Sequence, residues 1–370
     1  MQLFSSCKQS YTPPSIKNNP RFLVVDGFIT GSPDSTIITL TRSRNIADST
    51  SGPTELNATV QVEQETGGTI PLLELGNGRY GNLLSPDSGQ LYRVVIRTTD
   101  GGQYVSDYVP FKTTPPIDSL GFSQDSANVA ILVSTHDPSN NTRYYRWAYE
   151  ETWQYHTYYT TNFDYVPDSV IVRGWDKQIY FCWTTIKSPD IQVGTSTALS
   201  QDLVLNHHIH NVSKSSEKIN TYYSILVEQY ALTRDQFDFW TNLKKTTEQL
   251  GTLFDAQPAQ LTGNIHCISN PQETVLGYLC ASTTQRKRIF INRTDLSNFN
   301  YIPYTQACAI PEDVLVVIGE TDYPLIYQYL LAPNHPYTFL YDYLGYHLAE
   351  NFCADCRVHG GTTVKPDFWP

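Results

Sequence analysis

Apolar residues recur at every second position over short stretches, and glycine, proline and aspartate break the runs. That is the rhythm of half-buried strands. "RFLVVDGFIT" (21–30) and "STIITLTRS" (35–43) flank the turn Gly31-Ser32-Pro33-Asp34. "ATVQVEQETGGTIPLLEL" (58–75) folds back across Gly67-Gly68, and "LYRVVIRTTDGGQYVSDYVPF" (91–111) across Asp100-Gly101-Gly102. Such dipeptides supply the positive φ of tight hairpins. About seven strands at this spacing predict an immunoglobulin-like sandwich over 21–114. "TTPP" (113–116) reads as a linker, because proline favours extended, unpaired backbone.

A second β-module is expected over 115–232. Its strands are "NVAILVST" (128–135), "RYYRWAYEETW" (143–153), "SVIVRGWDKQIYFCWTT" (169–185) and "TYYSILVEQYAL" (221–232). The first two, joined by the loop 137–141, resemble the central strands of a fibronectin-III-like sandwich. Over 144–149 one face carries Tyr145, Trp147 and Tyr149 and the other Tyr144, Arg146 and Ala148, so one row is core with Trp147 as its plug. One stretch changes period. Phe237, Trp240, Leu243 and Leu250 recur at near-helical spacing behind Thr233 and Gln236, the two ends of a capping box, and Gly251 suits the C-terminal cap. This predicts a helix over 234–250. Strands return at 263–269, 274–283 and 287–293, giving a helix plus a β-rich C-terminal segment over 233–370. The expected class is mainly β: tandem immunoglobulin-like and fibronectin-III-like sandwiches with one packed α-helix.

Composition narrows the partners. With 25 Lys+Arg against 36 Asp+Glu the net charge is −11, and the densest basic spot is Gln285-Arg286-Lys287-Arg288. Nucleic-acid binding needs clustered cations to displace counterions, so it is excluded as an expectation. No run approaches the ~20 apolar residues of a membrane-spanning helix.

The N-terminus gives an address. Phe4-Ser5-Ser6-Cys7 looks like a lipobox, with Cys7 the lipid attachment site and residues 8–20 a polar, Pro-rich tether. Only six residues precede Cys7, so this reading implies a clipped start. "LVVDGFIT" (23–30), "YSILVEQYALT" (223–233), the run 253–293 and "CADCRVHGGTTVKPDFW" (353–369) resemble a family of Bacteroidota outer-membrane lipoproteins of unknown function. The resemblance implies a lipidated, β-rich, non-enzymatic protein at the outer membrane. It also implies a TonB-dependent transporter barrel as partner, with a role in nutrient capture or uptake. The family's only transferable site residue is Cys7. No cofactor is implied.

Outside the cytoplasm disulfides persist. Setting Cys7 aside, six cysteines remain: Cys182, Cys267, Cys280, Cys308, Cys353 and Cys356. Cys267 and Cys280 lie in consecutive strand runs and are expected to pair. Cys353 and Cys356 are expected to reach Cys182 and Cys308 in an order left open. The rival reading of the terminal cysteines is a zinc site built from Cys308, Cys353, Cys356 and His359, with a redox pair a third. His207-His208-Ile209-His210 is the one histidine cluster. On a strand His208 and His210 share a face that suits a transition metal, while a polar loop is the plainer reading.

Surplus aromatics at Trp153, Tyr155, Tyr158 and Tyr159 exceed what one core strand needs, and are expected to form an interface or ligand face. Ser35, Ser49, Ser119, Ser126 and Ser169 each follow an aspartate in a pattern similar to Bacteroidota O-glycosylation sites. The competing function classes are a structural subunit of an outer-membrane secretion or assembly machine and a metal-dependent hydrolase.

Overall fold

The computed structural model describes residues 21–44, 52–166, 169–248, 263–297, 308, 315–316, 337–342 and 345–370. Two compact units are separated at Thr113/Thr114, and residues 263–283 return to the first unit before the chain re-enters the second at Thr284. The sequence reading assigned 263–283 to a C-terminal segment; strand pairing overrules it.

The strands of the first unit are β1 (Leu23–Ile29), β2 (Ser35–Arg42), β3 (Thr59–Gln64), β4 (Thr69–Gly76), β5 (Arg79–Leu83), β6 (Leu91–Arg97), β7 (Gln103–Ser106) and β8 (Val109–Pro110). The second unit contributes β9 (Ile117–Gln124), β10 (Asn128–His136), β11 (Tyr144–His156), β12 (Phe163–Val166), β13 (Ser169–Val172), β14 (Phe181–Lys187), β15 (Gln192–Thr195), β16 (Leu203–Ser213) and β17 (Tyr222–Leu232), then helix α1 (Arg234–Glu248). β18 (Ile265–Cys267) and β19 (Cys280–Ala281) belong to the first unit; β20 (Thr284–Asn292), β21 (Leu315–Val316), β22 (Tyr337–Asp342) and β23 (Gly345–Glu350) to the second.

In the first unit the strands run β18-β7-β6-β3-β4-β5-β2-β1-β19, with β8 on β6. The alternation read from sequence is what buries the core. Leu23, Ile38, Leu40, Val60, Val62, Tyr80, Val94 and Ile96 are all at most 1% exposed and form one cluster. Each fully buried aliphatic side chain contributes about 1.5–3 kcal/mol. The returning segment fits beside β1 because Gly277 has no side chain: at φ +126° a Cβ there would sit 2.0 Å from the Val25 carbonyl oxygen. The Asn264 amide then clamps both ends of Leu279, accepting from its N–H at 2.8 Å and donating to its carbonyl at 3.1 Å.

In the second unit the sheet β16-β10-β9 packs on β14-β11-β17-β20, with β15 on β11. This is a fibronectin-III-like sandwich. The expected core row holds: Tyr145 and Trp147 are 0% and Tyr149 3% exposed, packed with Ile131, Val133, Tyr223 and Ile225. The indole of Trp147 donates to Gln229 Oε1 at 2.8 Å, so its polar edge is satisfied inside the core. The capping box of α1 forms in both directions, Thr233 N–H to Gln236 Oε1 at 2.9 Å and Gln236 N–H to Thr233 Oγ1 at 3.3 Å. Trp240 lies under the Arg146 guanidinium, 4.2 Å from ring centroid to Cζ, which fastens α1 to the outer face of β11. Leu250 and Gly251 lie outside the described residues. Among the described residues no helix is long and apolar enough to cross a membrane.

Candidate functional site

The terminal cysteines form a strap. Cys182 is bonded to Cys356 and Cys308 to Cys353, with Cα separations of 5.7 and 5.6 Å. The zinc reading fails, because these sulfurs are bonded to one another and His359 Nε2 contacts the Phe352 carbonyl at 2.8 Å. The bonds exclude the redox-thiol reading for the same reason. The expected bridge between Cys267 and Cys280 is also corrected. Both remain buried thiols, because Cys267 pairs opposite Tyr104 on β7 and Cys280 opposite Phe28 on β1, at the two ends of the strand path.

One residue past Cys182, the strap adds itself to the sheet. Trp183 N–H donates to the Thr362 carbonyl at 2.8 Å, and Thr362 N–H to the Trp183 carbonyl at 2.9 Å. The Tyr155 hydroxyl donates to the Cys356 carbonyl at 2.9 Å. The strap ends in Phe368 and Trp369, which close over the outer face of the sheet. Trp369 meets the rings of Trp183, Tyr222 and Phe290 edge-on at 6.4, 5.4 and 5.7 Å.

Between strap and sheet lies a groove of about 720 Å³. Register builds its floor: Trp183 lies opposite Gln154, Gln154 opposite Tyr222, and Tyr222 opposite Asn292, so one cross-strand row points four side chains to one face. Asn220, Thr221, Arg293 and Thr294 form one wall, and Lys365, Trp369 and Pro370 the other. His156 also lines the groove, and no side-chain carboxylate is among the lining residues. The Trp183 indole N–H is buried without an acceptor among the described residues.

Inside the sandwich a charged network closes on itself. Glu151, 1% exposed, accepts from Lys218 Nζ at 2.7 Å and the Tyr223 hydroxyl at 2.9 Å, and lies 3.3 Å from His210 Nε2. Tyr149 links His210 Nδ1 (2.9 Å) to Asp190 (3.1 Å). Burial pushes the Glu151 carboxyl up, but hydrogen bonds and charge from His210 and Lys218 outweigh it and leave the pKa below its usual range. The histidine cluster is therefore on a strand, not in a loop, and its members are separated. His207 stacks on Trp147 at 4.5 Å, and burial pushes its pKa down. His208 contacts Asn211 at 2.8 Å. Among the described residues no group of three or more His, Cys, Asp or Glu is placed to hold a metal.

In the first unit Arg42 reaches Glu55 (2.6 Å), Asp100 (3.5 Å) and Glu273 (3.7 Å), with Tyr104 donating to Glu273 at 2.7 Å. Burial, with the Glu273 contact, pushes the Tyr104 hydroxyl up to about 12. A different surface of this unit is apolar. Leu73 (64% exposed) and Leu75 (53%) on β4 and Leu83 (58%) on β5 share the outer face. Gly81 lies opposite Leu73 and is covered by its neighbours: a Cβ on it would meet Leu75 Cδ1 at 2.9 Å and Ile37 Cγ1 at 3.4 Å. The leucines thus stand on one sheet face around a residue that has no side chain of its own.

A family model described as a domain of unknown function, DUF4249, matches residues 8–288. The chain belongs to this family. No curated protein matches it. Among solved structures, a two-domain fibronectin type III segment from chicken tenascin is 11% identical, covering 58% of this chain and 93% of its own, with a TM-score of 0.16. A cytokine receptor complex is 11% identical over 56% of this chain and 84% of its own, with a TM-score of 0.19. A DUF3823 family protein from Bacteroides ovatus is 11% identical over 57% and 91%, with a TM-score of 0.16. These likenesses carry no argument, and the fold stands on strand pairing.

In this DUF4249 chain the four surplus aromatics do not form one face. Tyr155 is 3% exposed and packs on the Cys182–Cys356 bridge. Trp153 is partly buried beneath Lys218, whose Nζ is 5.1 Å from the ring centroid. Tyr159 donates to the Cys308 carbonyl at 2.8 Å, and Tyr158 alone is exposed, at 48%. Tyr155 and Tyr159 are spent on the disulfide-bonded cysteines, which a strand-face argument does not foresee. Of the serines, Ser35, Ser119 and Ser126 are exposed. Ser169 opens β13, and Ser49 and Cys7 lie outside the described residues.

Proposed function

We propose that this protein is a lipid-anchored, non-enzymatic lipoprotein of the outer membrane that docks on a TonB-dependent transporter and assists nutrient capture. The observation that carries the reading is the patch of Leu73, Leu75 and Leu83, each more than half exposed on one sheet face of an acidic chain. Large apolar side chains gathered on one exposed sheet face support a docking site. The oxidised strap supports residence outside the cytoplasm. Anchoring through Cys7 and the identity of the partner follow from the lipobox and from the resemblance to Bacteroidota lipoproteins.

The test is extraction of tagged protein from native membranes in mild detergent, followed by identification of what co-purifies. A transporter barrel is expected with the wild type and is lost with Leu73→Asp/Leu83→Asp, whose exposed positions leave the fold intact. Wild-type protein recovered without any barrel, or with its Cys7 unacylated by mass, overturns the proposal. A barrel of a secretion or assembly machine would favour the structural-subunit reading instead.

A further inference from the structure

The row of side chains that ends on Glu151 is one hydrogen short. Three contacts join four residues: Asp190 to the Tyr149 hydroxyl (3.1 Å), that hydroxyl to His210 Nδ1 (2.9 Å), and His210 Nε2 to Glu151 (3.3 Å). Each contact needs one hydrogen, and a carboxylate supplies none. The tyrosine brings one and a neutral imidazole one. An imidazolium brings two, and all three contacts then hold. We infer that His210 is a proton-operated latch that ties the loop between β14 and β15 to the sandwich.

Local backbone sets the latch in place. Ile131 pairs with His210 and Leu132 with His208, so Ile209 is a bulged residue on β16. A bulge re-aims the side chains beside it. Ile209 is 0% exposed, and His210, which strict alternation would group with the exposed His208, turns toward β11 in the facing sheet.

The surroundings favour the cation. β11 presents Tyr149 and Glu151, the loop after β14 presents Asp190, the turn Glu217–Ile219 presents Lys218, and β17 presents Tyr223. On α1, Glu248 pairs with Lys244 at 3.9 Å and accepts from the Ile191 N–H at 2.6 Å. On β16 itself His207 stacks on Trp147 and His208 contacts Asn211. Glu151 and Asp190 set two negative charges against the one positive charge of Lys218, so a charged His210 balances the set. Burial and the charge of Asp190 push the Tyr149 hydroxyl up from its usual range, so it keeps its hydrogen wherever histidine titrates.

Burial also decides which contact opens when the second proton leaves. Glu151 is 1% exposed, so water cannot replace a donor lost there, whereas Asp190 is exposed. The neutral ring therefore keeps its hydrogen on Nε2 for Glu151 and accepts the tyrosine's at Nδ1, and Asp190 is let go. The loop retains Ser188 N–H on the Tyr149 carbonyl (2.8 Å) and Ile191 N–H on Glu248, but loses its side-chain anchor. The latch is thus closed on the acid side of the histidine range, about pH 5 to 8, and open on the alkaline side.

The experiment uses the full chain with its disulfides intact. Ring nitrogen shifts of isotope-labelled histidine, assigned to His210 with His210→Gln, read its protonation and tautomer. Amide exchange, corrected for its intrinsic pH dependence, reads residues 188–195, with β2 as internal control. An imidazolium is expected in acid and the Nε2–H tautomer above it. Protection over 188–195 should fall by up to about tenfold per pH unit between them, while β2 stays level. Asp190→Asn, at an exposed position, supplies the missing hydrogen: its amide donates to Tyr149, whose hydroxyl turns to the neutral ring, so protection stays high and flat with pH. Four results overturn the inference: a ring that is neutral throughout, a neutral ring protonated on Nδ1, loop protection that does not fall as pH rises, or an Asp190→Asn variant that responds like wild type. These readouts need no partner, so the latch stands or falls separately from the docking proposal.

Discussion

Replacing both Cys182 and Cys356 by alanine tests the strap most directly. The bond spans a sequence separation of 174, and the Cys308–Cys353 bond one of 45. In the chain-entropy treatment, closing loops of those lengths contributes about 5 and about 4 kcal/mol respectively. For a protein of this size each kcal/mol shifts Tm by roughly 2–4 °C, so Cys182→Ala/Cys356→Ala should lower Tm by roughly 10–20 °C. The matched Cys308→Ala/Cys353→Ala pair should lower it less, because loop entropy grows with the logarithm of length. Packing adds to the first effect: Cys182 and Cys356 are both 0% exposed beside Tyr155, so truncation opens a gap there. The assay is calorimetry on oxidised protein at fixed scan rate, with tryptophan emission reporting whether Trp183 and Trp369 become wetted. A Tm loss under about 2 °C would refute the reasoning, as would the shorter loop proving the more stabilising of the two.

Trp147→Phe should destabilise by about 2–3 kcal/mol, seen as a lower urea midpoint at unchanged slope, because it leaves Gln229 Oε1 without its 2.8 Å donor inside the core. Glu151→Gln should flatten the acid limb of the stability curve. The folded pKa of Glu151 is depressed below 4.5, so its contribution is complete above that value and lost as pH falls through the folded one. The variant is therefore less stable than wild type near neutrality and converges on it in acid, as guanidinium titrations at stepped pH would read. Trp240→Ala should release α1 from Arg146, speeding amide exchange across Arg234–Glu248 while β11 stays protected.

How much of this was legible depended on how local the signal was. The hairpins at Gly67-Gly68 and across Asp100-Gly101-Gly102, the Trp147 row and the Thr233–Gln236 capping box formed where the alternation placed them. Each is decided by neighbours a few residues apart. β16 gives no clear strand signal because Asn206, His207, His208 and His210 dilute its apolar positions. It is a strand with register shifts, one face of which packs Ile209 and Val212 while the other meets water. β9, with Asp118, Ser119 and Gly121, hid for the same reason. β19 is two residues long and gives no period at all. The return of residues 263–283 to the first unit depends on Gly277 fitting beside Val25, a pairing across some 250 residues that no local pattern encodes. The groove escaped notice on similar grounds. Gln154, Trp183, Tyr222 and Asn292 are far apart in sequence, and only cross-strand register makes them one row. The aromatic and basic residues of "KPDFW" (365–369) were the nearest available clue.

The pairing of Thr362 with Trp183 also settles the fate of a vulnerable edge. β14 is the last strand of its sheet, and its outward amide and carbonyl at Trp183 are the groups on which a foreign strand would nucleate. By occupying them the chain's own terminus acts as a sentinel against self-association. Wherever copies of the chain are concentrated, that protection keeps neighbours from zipping together.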